Sequence, residues 1–265
     1  MKNHSAVIIG GGPAGLMSAE VLIGHGVKVD VYDSMPSLGR KFLMAGRGGL
    51  NLTHSEPFEQ FVSRYGNRRD KIEPMIKSFG PDELREWASR LGVETFVGTS
   101  GRVFPKEMKS SPLLRAWLKR LGEAGVEVHL RHRWIGWDEN QSLKFETPDG
   151  IKIVKADAVI LALGGGSWSR LGSDGKWVQA LEQAGVKVEA LKPSNCGFDT
   201  TWSPVLKEKF DGAPVKSVAL NFGAFHQQGE FIITKEGVEG SLIYAASALV
   251  RDEIAEKGRA IIELD

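Results

Sequence analysis

An α/β fold is predicted by three observations within the first forty residues. A short apolar run, Ala6-Val7-Ile8-Ile9, leads directly into Gly10-Gly11-Gly12-Pro13-Ala14-Gly15. A helical stretch from Ala14 to His25 follows, with Gly26 placed to stop it. Val27–Tyr32 then resumes a strand pattern and ends on an acid, Asp33. Strand, glycine turn, helix, strand and terminal acid, in that order, specify a Rossmann-like domain built on a parallel sheet. The first run is apolar at every position, as a parallel strand covered on both faces should be.

The later elements are read in the same way. A loop rich in glycine follows Asp33, and Phe58 to Gly125 is mainly helical. Pro81-Asp82-Glu83 opens one helix, with Leu84, Trp87, Ala88 and Leu91 on one face. A second begins near Ser111-Pro112 and carries Leu114, Trp117, Leu118 and Leu121 as its buried stripe. Val126 to Val154 reads as short antiparallel strands, with Asp149-Gly150 as a hairpin turn. Ala158–Leu163 is expected to be a buried strand running into Gly164-Gly165-Gly166. Near Ala190 the texture changes to strand-like pieces broken by Pro193, Pro204 and Pro214. Two domains are therefore expected: residues 1–190, Rossmann-like with a small antiparallel insertion, and an incomplete β-rich domain over 191–265. Arg259–Asp265 reads as a last strand.

Charge excludes some partners. Lys and Arg number 34 against 33 Asp and Glu, a net charge of +1, which provides no broad attraction to nucleic acid or an anionic membrane. The longest apolar runs are too short to span a bilayer. A single cysteine, Cys196, permits no internal disulfide and fits a cytoplasmic setting. The expected partner is a small-molecule substrate, and nothing in the residues fixes an oligomeric state.

The chemistry resides in the glycine turn. Gly10 permits the tight turn off the strand, Gly12 lets the backbone approach a pyrophosphate, and Gly15 lets helix and strand pack closely. The helix start beyond offers free N–H groups and the positive end of its dipole. Asp33, eighteen residues after Gly15, is placed to accept hydrogen bonds from ribose hydroxyls. This pattern serves FAD and NAD(P) alike. Gly39-Arg40-Lys41 after the second strand, and the late strand that ends in glycines, favour FAD.

At this point the chain resembles the BaiN-like NAD(P)/FAD-dependent oxidoreductases, a bacterial flavoprotein family. The matching stretches are Ala6–Gly15, Gly39–Ala45, Gly46–Thr53 (GRGGLNLT), Arg102–Pro105 (RVFP), Ala158–Gly175 and, more weakly, Gly229–Ser247. The resemblance implies that Gly10, Gly12, Pro13, Ala14 and Gly15 hold the pyrophosphate of FAD, with Asp33 at the ribose. It places Arg40 and Lys41 beside the ribityl phosphate, and the Gly46–Asn51 loop at the flavin ring. Trp134 falls where such proteins set a residue against the adenine, and Ala162, Leu163 and Gly164 on a strand beneath the cofactor. It also implies hydride transfer from NAD(P)H through the flavin to an unsaturated small molecule. The family loop commonly reads glycine-arginine-cysteine-asparagine where this chain has Gly48-Gly49-Leu50-Asn51, so no role passes to that arginine or cysteine. Family members also continue into a C-terminal segment that returns to the first domain, and this chain is expected to lack it. A non-catalytic nucleotide-binding fragment and a flavin-free NAD(P) enzyme are the competing readings.

Other candidates are weaker. His129 and His132 are expected to point to opposite faces of a strand, and no carboxylate or cysteine cluster completes a metal site. Ser167-Trp168-Ser169 lacks the glycine of a nucleophile elbow. Gly172-Ser173-Asp174-Gly175-Lys176 lacks the final hydroxyl of a P-loop and reads as a loop capping a helix. Asn51 and His54 are the polar residues expected nearest the reactive edge of a flavin. No catalytic acid is identified.

Overall fold

A computed structural model describes residues 4–45 and 48–265. The chain divides into two compact units, Met1–Val188 and Glu189–Asp265.

The first unit opens with β1 (Ser5–Ile9), α1 (Pro13–Gly24) and β2 (Lys28–Asp33), followed by α2 (Arg40–Ala45). Then come β3 (Thr53–His54), α3 (Phe58–Ser63), α4 (Arg69–Ser78), α5 (Pro81–Arg90), β4 (Thr95–Val97), β5 (Arg102–Pro105) and α6 (Ser110–Glu123). The unit continues through β6 (Glu127–Leu130), β7 (Arg133–Trp137), β8 (Leu143–Thr147), β9 (Gly150–Val154), β10 (Ala158–Leu161) and α7 (Trp177–Gln183). Its central sheet is parallel in the order β10-β1-β2-β6. The uniform apolarity of β1 has a direct cause. Ile8 packs with Leu16, Val29 and Val31 on the side of α1, whereas Val7 and Ile9 pack with Trp134, Leu143 and Phe145. Full burial of one such side chain stabilises by about 1.5–3 kcal/mol.

Three expectations for this unit need correction, and a fourth gains detail. Glu127–Leu130 is not antiparallel: it joins β2 in parallel, with Asp30 opposite Glu127 and Tyr32 opposite His129. It follows a crossover helix, α6, and such connections return the chain parallel. Its alternating sequence reflects an outer strand that water reaches. The stretch from Phe58 to Gly125 is mainly helical, as expected, with β4 and β5 set between α5 and α6 and forming a small antiparallel sheet with β3. β10 is exposed rather than buried, with Val159 and Leu161 each 38% accessible, because it is the outer strand beside β1. Finally, the hairpin between β8 and β9 turns at residues 148–149, with Gly150 already paired to Thr147.

The second unit holds β11 (Phe198–Asp199), α8 (Pro204–Phe210), β12 (Pro214–Phe222), β13 (Phe225–Ile233), β14 (Gly237–Glu239), α9 (Ser241–Lys257) and β15 (Glu263–Leu264). The strands form one antiparallel sheet in the order β11-β14-β13-β12-β15. The unit is β-rich, but its core depends on α9. Leu242, Ile243, Ala246 and Val250 of that helix pack against Leu220, Phe231, Ile233 and Val238. Of the strand expected over 259–265, the last three residues meet β12: Glu263 and Leu264 lie opposite Asn221 and Leu220, and Asp265 exchanges backbone hydrogen bonds with Ala219, whereas Ile261 is 73% exposed.

Candidate functional site

The strand ends β1, β2 and β10 converge on a cleft of about 420 Å³ within the first unit. That size suits a small organic ligand or part of a larger one. Gly10, Gly12, Pro13, Asp33, Arg40, Lys41, Trp134, Ala162 and Gly164 line it.

The three fingerprint glycines are not equivalent. Gly10 has φ +109°, and a Cβ there would fall 2.2 Å from the carbonyl oxygen of Ala162. A Cβ on Gly15 would lie 1.9 Å from the carbonyl oxygen of Gly10. Both are demanded by the fold. Gly12 is different: its φ of −82° suits any residue, and a Cβ there would meet no protein atom within 4 Å. It caps α1 with no side-chain acceptor, and the first turn of that helix contains no acid. The helix start therefore presents unpaired N–H groups and a positive dipole end, an anion-binding arrangement.

Asp33 organises this turn. Gly11 N–H donates to its Oδ2 and Met35 N–H to its Oδ1, each at 2.7 Å. Burial pushes its carboxyl pKa up, and the two N–H bonds, with Arg40 and Arg133 nearby, offset that only in part. Each oxygen keeps a second lone pair for a ligand donor. Asp33→Asn should destabilise the ligand-free protein by about 1–3 kcal/mol, because one amide N–H would face an NH₂ group instead of an acceptor. Urea denaturation measures this, and a loss below roughly 0.5 kcal/mol would rule out the organising role.

Positive charge dominates the lining, with Arg40, Lys41, Arg133 and Lys176 against Asp33 and Asp174. Arg133 Nη1 lies 3.2 Å from Asp174 Oδ2, and Lys41 Nζ donates to Ser167 Oγ at 2.7 Å. Tyr32 also lines the cleft, stacked between His129 and Phe145 at centroid distances of 4.2 and 4.5 Å. Burial first, then Asp30 and Glu127, push its phenol up to about 12, so it stays protonated at neutral pH. Trp134 is 7% exposed and packs edge-on against Trp137 at 4.8 Å. Four lining residues carry buried polar atoms without a protein partner: Arg40 Nε, Trp134 Nε1, Ser173 Oγ and Trp177 Nε1. Such atoms are rare in native interiors, so their gathering at one cleft suits a polar ligand.

Some candidates lie elsewhere. Ala14 and Gly15 are in the first turn of α1, next to Gly12 and Pro13 but not on the lining themselves, Ala14 exposed and Gly15 buried. Asn51 is exposed before β3 and is not on the lining, and Gly46 falls outside the described residues. His54 lines a separate cleft. Its Nε2 is 3.0 Å from the Ser100 carbonyl oxygen, and its Nδ1 accepts from Glu56 N–H at 3.1 Å. The rings of His129 and His132 do not diverge; they stand 5.7 Å apart because Arg131 turns to φ +59° and ends the strand alternation. Carboxylates do gather at His129. Its Nε2 is 2.7 Å from Asp30 Oδ1, and ligand atoms of Asp30, Glu127 and His129 lie within 4.8 Å of one another. Sequence reading missed Tyr32, Arg133, Ser173, Asp174 and Trp177 as lining residues. The glycines around Ser173 and Asp174, just after a glycine-ended strand, were the available signal.

A family model described as the HI0933-like protein Rossmann domain matches residues 4–248. The chain belongs to this family. The resemblance read from the sequence is thereby met, and the fold is that of a Rossmann-type FAD-binding domain. A 3-dehydro-bile acid delta(4,6)-reductase of Clostridium scindens is 24% identical over 262 residues, which cover 97% of this chain and 63% of that protein. A ribosomal RNA dihydrouridine synthase of Haemophilus influenzae is 23% identical over 252 residues, 91% of this chain and 60% of that protein. The HI0933-like chain thus spans about three-fifths of the length of these curated relatives. Among solved structures, the open conformation of a flavocytochrome c3 fumarate reductase matches with a TM-score of 0.54 and 19% identity, over 68% of this chain and 40% of that chain. That likeness concerns the fold alone. Among the described residues, no helix is long and apolar enough to cross a membrane.

Proposed function

We propose that the cleft binds FAD and that the protein is a flavin-dependent oxidoreductase acting on a small molecule in the cytoplasm. The observation that carries this reading is Gly12, open to the cleft at the start of α1 and faced by a mainly cationic lining. Gly12 and Pro13, with the N–H groups of Ala14 and Gly15, would hold the pyrophosphate, and Gly10 would shape the turn. Asp33 would accept from the ribose hydroxyls through its remaining lone pairs. Arg40 and Lys41 would balance phosphate charge towards the ribityl chain, Trp134 would pack by the adenine, and Ala162 and Gly164 would run beneath. Gly46 and Asn51 are assigned to the ring end through the family resemblance alone. FAD, when bound, supplies hydride transfer between NAD(P)H and an unsaturated substrate, while the protein supplies binding and orientation.

The names of the two curated relatives point to different substrates, a bile acid and ribosomal RNA. A net charge of +1 favours the small molecule, since RNA binding draws on an excess of Lys and Arg. The visible spectrum of the purified chain, followed by release of its chromophore, tests the cofactor. The expected result is a flavin spectrum from released FAD, bleached anaerobically by NADH or NADPH. A folded, colourless chain that takes up no added FAD would overturn the reading.

A further inference from the structure

Ser173 is the one serine on the cleft lining whose hydroxyl is both buried and without a protein partner among the described residues. It is 7% exposed. Its placement is firm. Trp168 and Ser173 exchange two backbone hydrogen bonds, of 3.0 and 3.1 Å, which close the loop between them. The adjacent Asp174 is tied to Arg133, and a Cβ on the preceding Gly172 would fall 2.7 Å from Met35 Cγ, so the loop is packed across to the end of β2.

Its neighbours identify what the hydroxyl is placed for. A Cβ on Gly164 or Gly165 would lie 3.7 or 3.9 Å from Ser173 Oγ, which puts the oxygen beside the glycine turn after β10. That turn abuts the fingerprint turn, because Ala162 O fills the space a Gly10 side chain would need. The hydroxyl therefore sits close to where the two glycine turns meet, with Arg133 and Lys176 on the same cleft lining. A serine hydroxyl can both donate and accept, whereas a phosphate oxygen only accepts, so the two are complementary.

We propose that Ser173 is a ligand-binding residue of the cleft, donating its hydroxyl hydrogen to a phosphate oxygen of the bound dinucleotide. This rests on the reading that the cleft takes a diphosphate-bearing nucleotide. Rotation about Cα–Cβ, which moves the oxygen between staggered positions, lets it turn to the ligand without moving the loop.

Calorimetric titration of the full chain and its S173A variant with FAD, and separately with ADP, tests the assignment alongside the melting temperature of each ligand-free protein. The variant should bind both nucleotides roughly tenfold more weakly, the usual scale of a hydrogen bond to a charged group. Its ligand-free melting temperature should be unchanged or raised, because alanine removes a buried hydroxyl that had no partner. Unchanged affinity for both nucleotides would overturn the proposal and leave the FAD reading standing. A lowered melting temperature with unchanged affinity would also overturn it, as a structural role. Loss confined to FAD would place the contact off the diphosphate and overturn the phosphate assignment. If the wild-type chain takes ADP but no FAD, the FAD reading fails and the ADP comparison alone decides for Ser173. Failure of the wild type to bind either nucleotide would overturn both.

Discussion

Gly12→Val should abolish FAD binding while leaving the ligand-free fold intact. The side chain would project into space that holds no protein atom, from a backbone conformation open to any residue. Valine is a poorer helix cap than glycine, which sets the stability cost near 1 kcal/mol at most. A ligand phosphate drawn to the N-terminus of α1 would meet the branched side chain directly. Affinity should fall at least about 100-fold, which corresponds to about 2.7 kcal/mol. Gly15→Ala gives the contrast. Its Cβ would stand 1.9 Å from Gly10 O, so α1 or the turn must move and the melting temperature should drop even without ligand. The measurement is FAD titration together with thermal denaturation of each ligand-free variant. Full retention of FAD by Gly12→Val would remove the fingerprint turn from the site.

The contrast between these glycines marks what the sequence could reveal. Spacing identified Gly10, Gly12 and Gly15 together, because turn, approach and packing all follow from their order along the chain. Asp33 was legible for the same reason, as the acid that ends the second strand, and both of its oxygens accept backbone N–H groups, from Gly11 and Met35. Residues brought in by tertiary contact were harder to read. Arg133 and Asp174 meet across 41 residues, and the glycines that flank Asp174 say nothing of its partner. β6 was misread because an outer parallel strand alternates like an antiparallel one. His129 and His132 were assigned to opposite faces because a positive φ at Arg131 is invisible to a period-two argument.

Glu20→Ala should destabilise the protein by about 1–3 kcal/mol through a contact away from the cleft. Glu20 is the single charged residue in α1, an otherwise apolar and polar-neutral helix. Its Oε2 accepts from the indole N–H of Trp87 at 3.1 Å and of Trp117 at 2.5 Å, and its Oε1 lies 3.2 Å from Arg120 Nη1. One carboxylate on α1 thereby joins α5 and α6 to the helix that carries the glycine turn. The two indoles cross at 81° with centroids 4.8 Å apart and are nearly buried, so water cannot readily replace the lost acceptor. Arg120 Nε and Nη2 are already buried without a protein partner, and removal of Glu20 would leave the guanidinium charge without this carboxylate as well. Glu20→Gln separates the two contributions. It keeps one acceptor oxygen for the indoles but sets an NH₂ group near Arg120, so roughly half of the loss is expected. Urea denaturation of the ligand-free proteins gives both values. A loss below about 1 kcal/mol for Glu20→Ala would mean that apolar packing alone holds α5 and α6 to α1. With the predicted loss, the helix start that faces the cleft would depend on a contact two turns along α1, and FAD affinity should weaken in Glu20→Ala without any change to the lining.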